Sequence, residues 1–324
     1  MSGLASPRKV VLVTGGSGLV GSAIASYISS RGAVPNETWY FASSKDADLT
    51  VRSSVSALFA RVQPTHVLHL AAKVGGLFAN LSQKVEFYRF NVLMNDNVME
   101  ECRLHGVAKL VSFLSTCIFP DKTTYPIDET MLHDGPPHSS NEGYAYAKRM
   151  VDTMSRAYNE EYGCNFTSVI PTNVYGPHDN FDINGGHVVP GLIHKCYIAK
   201  RDNTPFVIWG SGKPLRQFIY SEDLAKLSVW VMENYDSPAP VILSVDPQAE
   251  VSIADVALLV ADAMGYVGEV VFDSSKADGQ FKKTANNAKL RTLLPDYKFE
   301  SIETGIKKSV DWFLANYDTC RKGP

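Results

Sequence analysis

The chain has 324 residues, of which 45% are hydrophobic and 20% are charged, a balance that excludes a disordered or fibrous chain. Its 31 Lys and Arg residues against 34 Asp and Glu give a net charge of −3, which excludes nucleic acid or an anionic membrane as the main partner. The length exceeds the ~100–200 residues of one domain and therefore predicts two lobes.

Strands and helices alternate through the first two-thirds of the chain. Short apolar, β-branched runs predict strands at residues 10–13, 39–42, 66–70, 109–114 and 167–170. Apolar residues at helical spacing predict helices at residues 17–30, 55–62, 87–104 and 144–162. This order predicts a Rossmann-type α/β fold, a doubly wound parallel sheet whose ligands bind at the carboxyl ends of the strands.

The composition of the sequence changes after about residue 176, where loops rich in Gly, Pro and Asn separate shorter predicted elements. We therefore predict a dinucleotide-binding domain over residues 8–176 and a smaller substrate-binding lobe over residues 177–324. Residues near 217–247 are expected to return to the first domain.

Cysteines and apolar runs bear on the cellular compartment. The five cysteines form no CxxC pair, so we expect neither a disulfide framework nor a metal site. No apolar run approaches the ~20 residues of a membrane span, and no apolar signal segment precedes the first strand. The predicted location is the cytoplasm, without membrane association.

A glycine-rich loop follows the first strand and opens the first helix. Glycines allow a tight turn and a close approach of the backbone to a pyrophosphate, whose charge then lies at the helix N-terminus. In this context the pattern predicts a dinucleotide site, although a glycine-rich turn without a ligand is the alternative. The predicted contacts are Gly15, Gly16, Ser17, Gly18, Leu19, Val20 and Gly21.

The end of the second strand indicates which dinucleotide binds. An acidic residue there would bind a ribose 2′-hydroxyl, whereas this chain has Ser43, Ser44 and Lys45, which suit a 2′-phosphate. NADP(H) is therefore favoured over NAD, with Asp46 as the opposing feature and a solvated Lys45 as the alternative. Asp48 and Leu49 are expected beside the adenine, unless Asp48 is a plain surface residue.

Tyr144 and Lys148 lie four residues apart and so share one face of a predicted helix. A nearby ammonium favours the phenolate and should lower a pKa of ~10, so Tyr144 can protonate a carbonyl oxygen while a hydride arrives at its carbon. The alternative is an amphipathic helix with an incidental Tyr and Lys. Tyr146 competes for the role, but its spacing to Lys148 is wrong.

Ser115 and Cys117 follow the fourth strand, at the predicted ligand-binding edge. Ser115 can donate a hydrogen bond to the same carbonyl oxygen as Tyr144. A thiolate near a cation or a nicotinamide is a competent base, although Cys117 as a buried structural thiol is equally consistent with the pattern.

The motifs TGGSGLVG (residues 14–21), HLAA (69–72), YAYAK (144–148) and PTNVYGP (171–177) resemble those of the extended short-chain dehydrogenase/reductase family. Within it the chain is similar, over roughly residues 9–318, to the branch that converts GDP-4-keto-6-deoxy-D-mannose to GDP-L-fucose. That reaction is 3,5-epimerisation followed by NADPH-dependent reduction of the 4-keto group. The resemblance also implies a homodimer built on the two long helices.

The resemblance implies roles at matching positions. Tyr144 would protonate the 4-keto oxygen, Lys148 would hold the nicotinamide ribose, and Cys117 and His187 would be the acid/base pair for epimerisation. Further cofactor contacts would come from Leu70, Ala71, Ala72, Pro171, Thr172, Asn173, Val174 and His187. The GDP-sugar would be contacted by Lys195, Trp209, Arg216 and Asp278.

Several of these residues have a simpler interpretation. His187 could cap the helix that follows, Trp209 could be a core residue, Arg216 could form a surface ion pair, and Lys195 could be solvated. Asp278 precedes a glycine and could make a turn. Lys282 and Lys283 could reach the nucleotide, although an exposed pair of lysines is the simpler interpretation.

Two other functions stay open. One is a different NADP-dependent epimerase or reductase of keto-sugar nucleotides, for which Cys117 discriminates because reduction alone does not need it. The other is a non-catalytic dinucleotide-binding protein of the same fold, which would have no need of Tyr144.

Overall fold

The structure, a computed structural model, describes residues 8–276, 278 and 280–323. Its strands are β1 (Lys9–Thr14), β2 (Glu37–Ala42), β3 (His66–His69), β4 (Lys109–Phe113), β5 (Phe166–Pro171), β6 (Asn173–Tyr175), β7 (Phe206–Trp209), β8 (Leu215–Arg216), β9 (Phe218–Tyr220), β10 (Val241–Leu243), β11 (Val251–Ser252) and β12 (Val270–Asp273). Its helices are α1 (Leu19–Arg31), α2 (Arg52–Val62), α3 (Leu77–Ser82), α4 (Lys84–Leu104), α5 (Glu142–Tyr162), α6 (Val188–Asp202), α7 (Ser221–Asn234), α8 (Ile253–Met264), α9 (Ala288–Leu293) and α10 (Ile302–Ala315).

Six strands form one parallel sheet in the order β10-β5-β4-β3-β1-β2. The predicted Rossmann-type fold is confirmed. The strand order reverses at β1 and β3, and the carboxyl ends of these neighbours flank the crevice in which such sheets bind ligands.

The sheet is buried on both faces, which explains the nearly continuous apolar run of β1. Alternate side chains of β1 point to opposite sides because the period of a strand is two. Leu12 packs in a cluster with Phe59 of α2 and Val98 of α4, whereas Val11 packs with Ile24 of α1 on the other side. Helices therefore cover both faces.

A separate apolar cluster lies in the C-terminal part of the chain. It joins side chains of α6, α8 and α10 to β7, with aromatic residues such as Phe206 and Phe313 fully buried. The parallel pair of β7 and β12 and the antiparallel pair of β8 and β11 belong to this region. In contrast, β10 pairs with β5 of the large sheet and α7 packs on α1.

Two elements near the ligand-binding edge differ from the sequence predictions. The short helix α3 was not predicted, and α1 begins at Leu19 rather than residue 17 because Gly18 is its N-cap. None of the helices in the described part of the chain has the length and apolar character that crossing a bilayer requires.

Candidate active site

The glycine loop has a backbone that only small residues allow. Gly15 has φ of +71°, and a Cβ on it would lie 3.0 Å from the backbone nitrogen of Ala71. A Cβ on Gly21 would lie 2.5 Å from the carbonyl oxygen of Gly16. Gly18 caps α1 without a side chain, so the first N–H groups of the helix remain available to a phosphate. This cradle fits the predicted dinucleotide.

The segment after β3 lies against this loop. Buried His69 lies 2.7 Å from Thr14 Oγ1 through Nδ1 and 3.1 Å from Asn95 Oδ1 through Nε2. Burial lowers the pKa of His69 to about 3, so the imidazole is neutral. These contacts fix the end of β3, and with it the position of Leu70, Ala71 and Ala72 beside the glycines.

The hydrogen bonds at the end of β2 differ from those that the prediction requires. Ser43 donates its hydroxyl to Asp46 at 2.8 Å, so Ser43 does not offer the free hydroxyl that was expected. Hydrogen bonds from Tyr40 and Ser43 lower the pKa of Asp46 to about 2. Arg61, which the sequence analysis did not consider, lies 3.6 Å from that carboxylate and offsets its charge. Exposed Ser44 and Lys45 remain for a 2′-phosphate.

Asp48 and Leu49 follow this turn. The Asp48 carboxylate accepts hydrogen bonds from the backbone and hydroxyl of Thr50, at 2.9 and 2.7 Å, which is the behaviour of a surface turn residue. Leu49 packs against the core, and its carbonyl accepts a hydrogen bond from Asn97.

A cavity of about 200 Å³ lies beyond the carboxyl end of β4. It brings together Ser115, Cys117, Tyr144 and His187, which are far apart in the sequence. The complete lining is Val74, Gly75, Asn80, Ser115, Thr116, Cys117, Asn141, Tyr144, Asn173, His187, Arg216 and Lys283.

Helix α5 presents Tyr144 to this cavity and Tyr146 to the outside, where Tyr146 is 38% exposed. Lys148 lies one turn after Tyr144, is 2% exposed and donates a hydrogen bond of 2.9 Å to the carbonyl of Phe113. Burial lowers the pKa of Lys148 to about 8. The structure therefore singles out Tyr144 among the two candidate tyrosines.

The expected effect of Lys148 on Tyr144 is wrong for this structure. Burial raises the pKa of Tyr144, because removing the phenolate from water outweighs any attraction to the neighbouring ammonium. The phenol is therefore held as a neutral O–H, which is the form that a proton donor needs.

Ser115 and Cys117 are placed by a single 3₁₀ turn, Thr116–Ile118, after β4. Ser115 Oγ accepts a hydrogen bond from the Cys117 backbone at 3.4 Å, and this contact orients the turn. Cys117 is buried, yet it lines the cavity. Burial raises the pKa of its thiol, while the ammonium groups of Lys283 and Lys148 act in the opposite direction.

His187 is the N-cap residue of α6, but its side chain makes no capping hydrogen bond. The interpretation of His187 as a side-chain cap is therefore wrong, and the imidazole is available to the cavity that it lines. Buried Asp179 has one carboxylate oxygen without a hydrogen-bond partner, and the charge of His187 counteracts the rise that burial causes in the Asp179 pKa.

We call the four predicted substrate contacts, Lys195, Trp209, Arg216 and Asp278, the rim; of these, Arg216 is the one that lines the cavity. Lys195 Nζ lies 3.3 Å from the ring centroid of Trp209, and burial lowers the pKa of Lys195 to about 8. Asp278 accepts hydrogen bonds from the backbone and hydroxyl of Ser211, at 2.6 and 2.7 Å, two residues after Trp209. Arg216 lines the cavity and donates to the carbonyl of Gln280 at 2.6 Å.

This geometry overturns several simpler interpretations. Lys195 is half-buried on an aromatic face rather than solvated, and Trp209 is 38% exposed rather than part of the core. Arg216 donates to carbonyl groups rather than to a carboxylate. The Asp278 carboxylate accepts its hydrogen bonds from Ser211, 67 residues earlier, so it joins two segments that are distant in the sequence.

The cofactor contacts expected after β5 lie at the same edge. Asn173 lines the cavity and donates to the carbonyl of Gln217 at 2.9 Å. Thr172 is buried, and its hydroxyl has no hydrogen-bond partner. Pro171 ends β5, and Val174 continues in β6.

The sequence analysis did not assign several residues of the cavity wall to the site, among them Asn80, Asn141 and Lys283. Asn80 and Asn141 each carry a buried side-chain oxygen without a partner, and both line the cavity. Lys283 also lines it, so the interpretation of Lys283 as an exposed lysine is wrong. Asn141 could have been noticed as the residue before α5, whereas Asn80 and Lys283 carry no local signal.

The cavity combines two hydroxyl groups, a thiol and an imidazole. These groups suit proton transfer around a carbonyl substrate, with Ser115 and Tyr144 as hydrogen-bond donors to the oxygen. Over the residues that the structure describes, no group of three His, Cys, Asp or Glu side chains is placed to hold a metal ion.

Comparison with known families and relatives agrees with this geometry. The model of the NAD dependent epimerase/dehydratase family matches residues 11–245. The chain is 60% identical over 315 residues to a GDP-L-fucose synthase of Dictyostelium discoideum, an alignment that covers 97% of this chain and 98% of the relative. It is 54% identical to a probable GDP-L-fucose synthase of Drosophila melanogaster, with 97% and 100% covered.

The structure is also similar to solved structures. A crystal structure of a GDP-L-fucose synthetase from Naegleria fowleri bound to NADP superposes with a TM-score of 0.94 at 50% sequence identity. The match covers 98% of this chain and 97% of that chain.

Proposed function

The chain belongs to the NAD dependent epimerase/dehydratase family, and we propose that it converts GDP-4-keto-6-deoxy-D-mannose to GDP-L-fucose with NADPH as the reductant. The observation that carries this proposal is the single cavity shared by Ser115, Cys117, Tyr144 and His187. Reduction alone requires the two hydroxyl groups, whereas inversion at C3 and C5 requires an acid and a base as well.

Residues at the carboxyl edge of the sheet hold the cofactor in this proposal. The glycine loop and the N-terminus of α1 bind the pyrophosphate, and Ser44 and Lys45 bind the 2′-phosphate. Lys148, Thr172 and Asn173 lie on the nicotinamide side. Bound NADPH supplies the hydride that reduces C4.

Ser115 and Tyr144 act at the C4 oxygen of the sugar. The ketone acidifies the protons on C3 and C5, and the charge of each enolate collects on that oxygen, where two donors stabilise it. The same oxygen takes the Tyr144 proton when C4 is reduced. One oxyanion site therefore serves both reactions.

Cys117 and His187 act at the two neighbouring carbons. One removes a proton as base and the other delivers a proton as acid on the opposite face of the sugar, so each centre inverts through its enolate. Asp179 is expected to orient the imidazole of His187, since it is the buried carboxylate whose charge is coupled to that ring.

The rim binds the nucleotide part of the substrate. Arg216 and Lys195 supply local positive charge for the diphosphate, although the net charge of the chain is −3. Trp209 offers an exposed aromatic face and Asp278 a carboxylate for the guanosine. We assign cofactor binding to residues 8–176 and substrate binding mainly to residues 177–324.

A direct assay tests the proposal. The purified protein is given GDP-4-keto-6-deoxy-D-mannose and NADPH, the loss of absorbance at ~340 nm is followed, and the product is identified by NMR. We expect GDP-L-fucose. A reduced sugar with unchanged configuration at C3 and C5 would support a different keto-sugar reductase, and no turnover would support a non-catalytic binder.

Lys45→Ala should weaken the binding of NADPH more than the binding of NADH, because only NADPH carries the 2′-phosphate that the ammonium would contact. We expect the KM for NADPH to rise roughly tenfold, corresponding to ~1.4 kcal/mol, and the KM for NADH to stay nearly constant. Equal effects on both cofactors would contradict the assignment. Lys9→Ala is the control, since Lys9 pairs with Glu37 and Glu233 on another surface.

We also propose a homodimer that forms through α4 and α5. Each helix has 21 residues, and the two pack against each other. Phe90 and Leu93 of α4 and Met150 and Met154 of α5 are exposed, and exposed apolar side chains on two packed helices are typical of an interface.

Met150→Glu should dissociate this dimer, because a carboxylate would be buried without a partner at its centre. Sedimentation velocity should give a mass of ~71 kDa for the unaltered protein, twice the 35.6 kDa of the chain, and the monomer mass for the variant at micromolar concentration. Leu258→Glu, at an exposed leucine of α8, should leave the dimer intact. A dimer that persists in Met150→Glu would contradict the assigned interface.

We further propose that the protein works in the cytoplasm. All five cysteines are free in the structure, and Cys102 and Cys196 are fully buried packing residues. Unpaired cysteines in this number suit a reducing compartment.

A further inference from the structure

Lys283 occupies a defined position in the wall of the catalytic cavity. It lines that cavity together with Cys117, and both residues also line a small adjoining cleft. Lys283 and Cys117 therefore share the lining of both depressions.

The backbone that carries Lys283 is firmly held. Ile127 donates a hydrogen bond of 2.8 Å to the carbonyl of Thr284, the residue that follows Lys283. Ala285 exchanges two hydrogen bonds with the buried side chain of Gln217, at 2.7 and 3.1 Å. The lysine thus extends from a fixed strand-like segment rather than from a free loop.

The other cations around Cys117 are already engaged by carbonyl groups. Lys148 donates to Phe113, Arg149 donates to Ile118 and Gly135, and Arg216 donates to Leu215 and Gln280. In the described part of the chain, the Lys283 ammonium makes no hydrogen bond and no ion pair. Of the two ammonium groups that favour the Cys117 thiolate, Lys148 and Lys283, it is the one without a hydrogen-bond partner.

The remaining titratable groups near Cys117 do not replace it. Tyr144 is held neutral, and His187 lines the same cavity but is not among the groups that shift the pKa of Cys117. Asp121 and His138 line the adjoining cleft, where their side chains lie 4.0 Å apart. Burial lowers the pKa of Lys283, and the charge of Arg216 acts in the same direction, whereas the charges of Cys117 and Asp121 favour the Lys283 ammonium.

We propose that Lys283 is the positioning residue that stabilises the thiolate of Cys117 when this group removes a proton from the sugar. The inference rests on the proposed function, because it gives the thiol the role of base. In the step itself the carbon–hydrogen bond breaks, a sulfur–hydrogen bond forms, and the electron pair moves into the enolate on the C4 oxygen. Lys283 keeps its own proton throughout.

Lys283→Met tests this role in the protein without substrate. The rate at which iodoacetamide alkylates Cys117 is measured from pH 6 to 10 by mass spectrometry of the peptide that contains it. Because only the thiolate reacts, loss of a nearby positive charge should shift the profile to higher pH. We expect alkylation at pH 7.5 to be roughly tenfold slower, the size of one pKa unit.

Two further variants separate charge from packing. Lys283→Arg keeps the charge and should retain most of the original profile. Lys282→Met is the matched control, since the Lys282 ammonium lies 3.8 Å from Glu250 and outside the cavity lining. It should leave the profile unchanged. An alkylation profile that does not move in Lys283→Met overturns the proposal, provided that circular dichroism shows a folded protein.

Kinetics distinguish this role from simple binding of the substrate diphosphate. In deuterated water, Lys283→Met should lower kcat for exchange at C3 and C5 roughly tenfold and change KM little. A raised KM with unchanged kcat and unchanged alkylation would assign Lys283 to substrate binding instead. If the unaltered protein fails to turn over the GDP-sugar, the proposed function fails, whereas the alkylation result still decides whether Lys283 activates the thiol.

Discussion

Tyr144→Phe is expected to abolish reduction of the 4-keto group while exchange of hydrogen at C3 and C5 continues in deuterated water. The substitution removes the proton that the C4 oxygen needs when hydride arrives, a loss that costs ~10²–10⁴-fold in rate. Enolate formation still has the Ser115 hydroxyl as a donor and Cys117 and His187 as acid and base. NADPH oxidation and deuterium incorporation, followed on the same sample, separate the two reactions.

Tyr146→Phe is the matched control, because it removes the same hydroxyl from the same helix on the outer surface. It should retain full turnover. Full turnover of Tyr144→Phe would reject its role as proton donor. Loss of both reduction and exchange, with the fold intact, would mean that Ser115 alone cannot stabilise the enolate, and the shared oxyanion site would then depend on both hydroxyl groups.

The features that the sequence predicted well are those encoded within one turn or one strand–helix unit. The glycine spacing, the i and i+4 positions of Tyr144 and Lys148, and the apolar run of β1 each depend on neighbours in the chain. Tertiary packing therefore had little opportunity to change them. The same holds for the parallel sheet, which follows from the alternation of strands and helices.

The features that the sequence missed depend on chain segments that meet only in the folded protein. Lys283 reaches Cys117 because the backbone after it is hydrogen-bonded to Ile127, more than 150 residues earlier. Asn80 lies on the short helix α3, whose six residues are too few to give a periodic pattern. A pair of lysines in a polar stretch looks like a solvated surface until this long-range contact is known.

Electrostatic predictions failed for a related reason. The sequence places an ammonium near the Tyr144 phenol and so predicts a lowered pKa, but it does not show that the phenol is buried. Desolvation disfavours the phenolate, and at this position its effect is larger than that of the nearby ammonium, so the pKa of Tyr144 is raised. At Ser43, likewise, the hydroxyl predicted for a phosphate is used by Asp46, because the turn brings the two side chains within 2.8 Å.

Cys117→Ser is expected to suppress deuterium exchange at C3 and C5 by ~10²–10⁴-fold, the contribution of a positioned base. The serine hydroxyl is nearly the same size but far less acidic than a thiol, so it is a poor source of a base at neutral pH. Ser115 and Tyr144 are unchanged in this variant. Any NADPH consumption that persists should therefore yield a sugar that retains its original configuration at C3 and C5, which NMR of the product would show.

Cys164→Ser provides the comparison, because it removes a half-buried thiol at the end of α5, away from the cavity lining. Its exchange and reduction rates should match those of the unaltered protein. Unchanged deuterium uptake in Cys117→Ser would make Cys117 a packing residue, as its burial alone would allow. His187 would then have to act with another base. The proposed role of Lys283 would also be wrong, because it depends on Cys117 acting as a base. Selective loss of exchange with retained reduction would instead separate the two chemistries within one cavity: the thiol inverts the carbon centres, and the phenol completes the reduction.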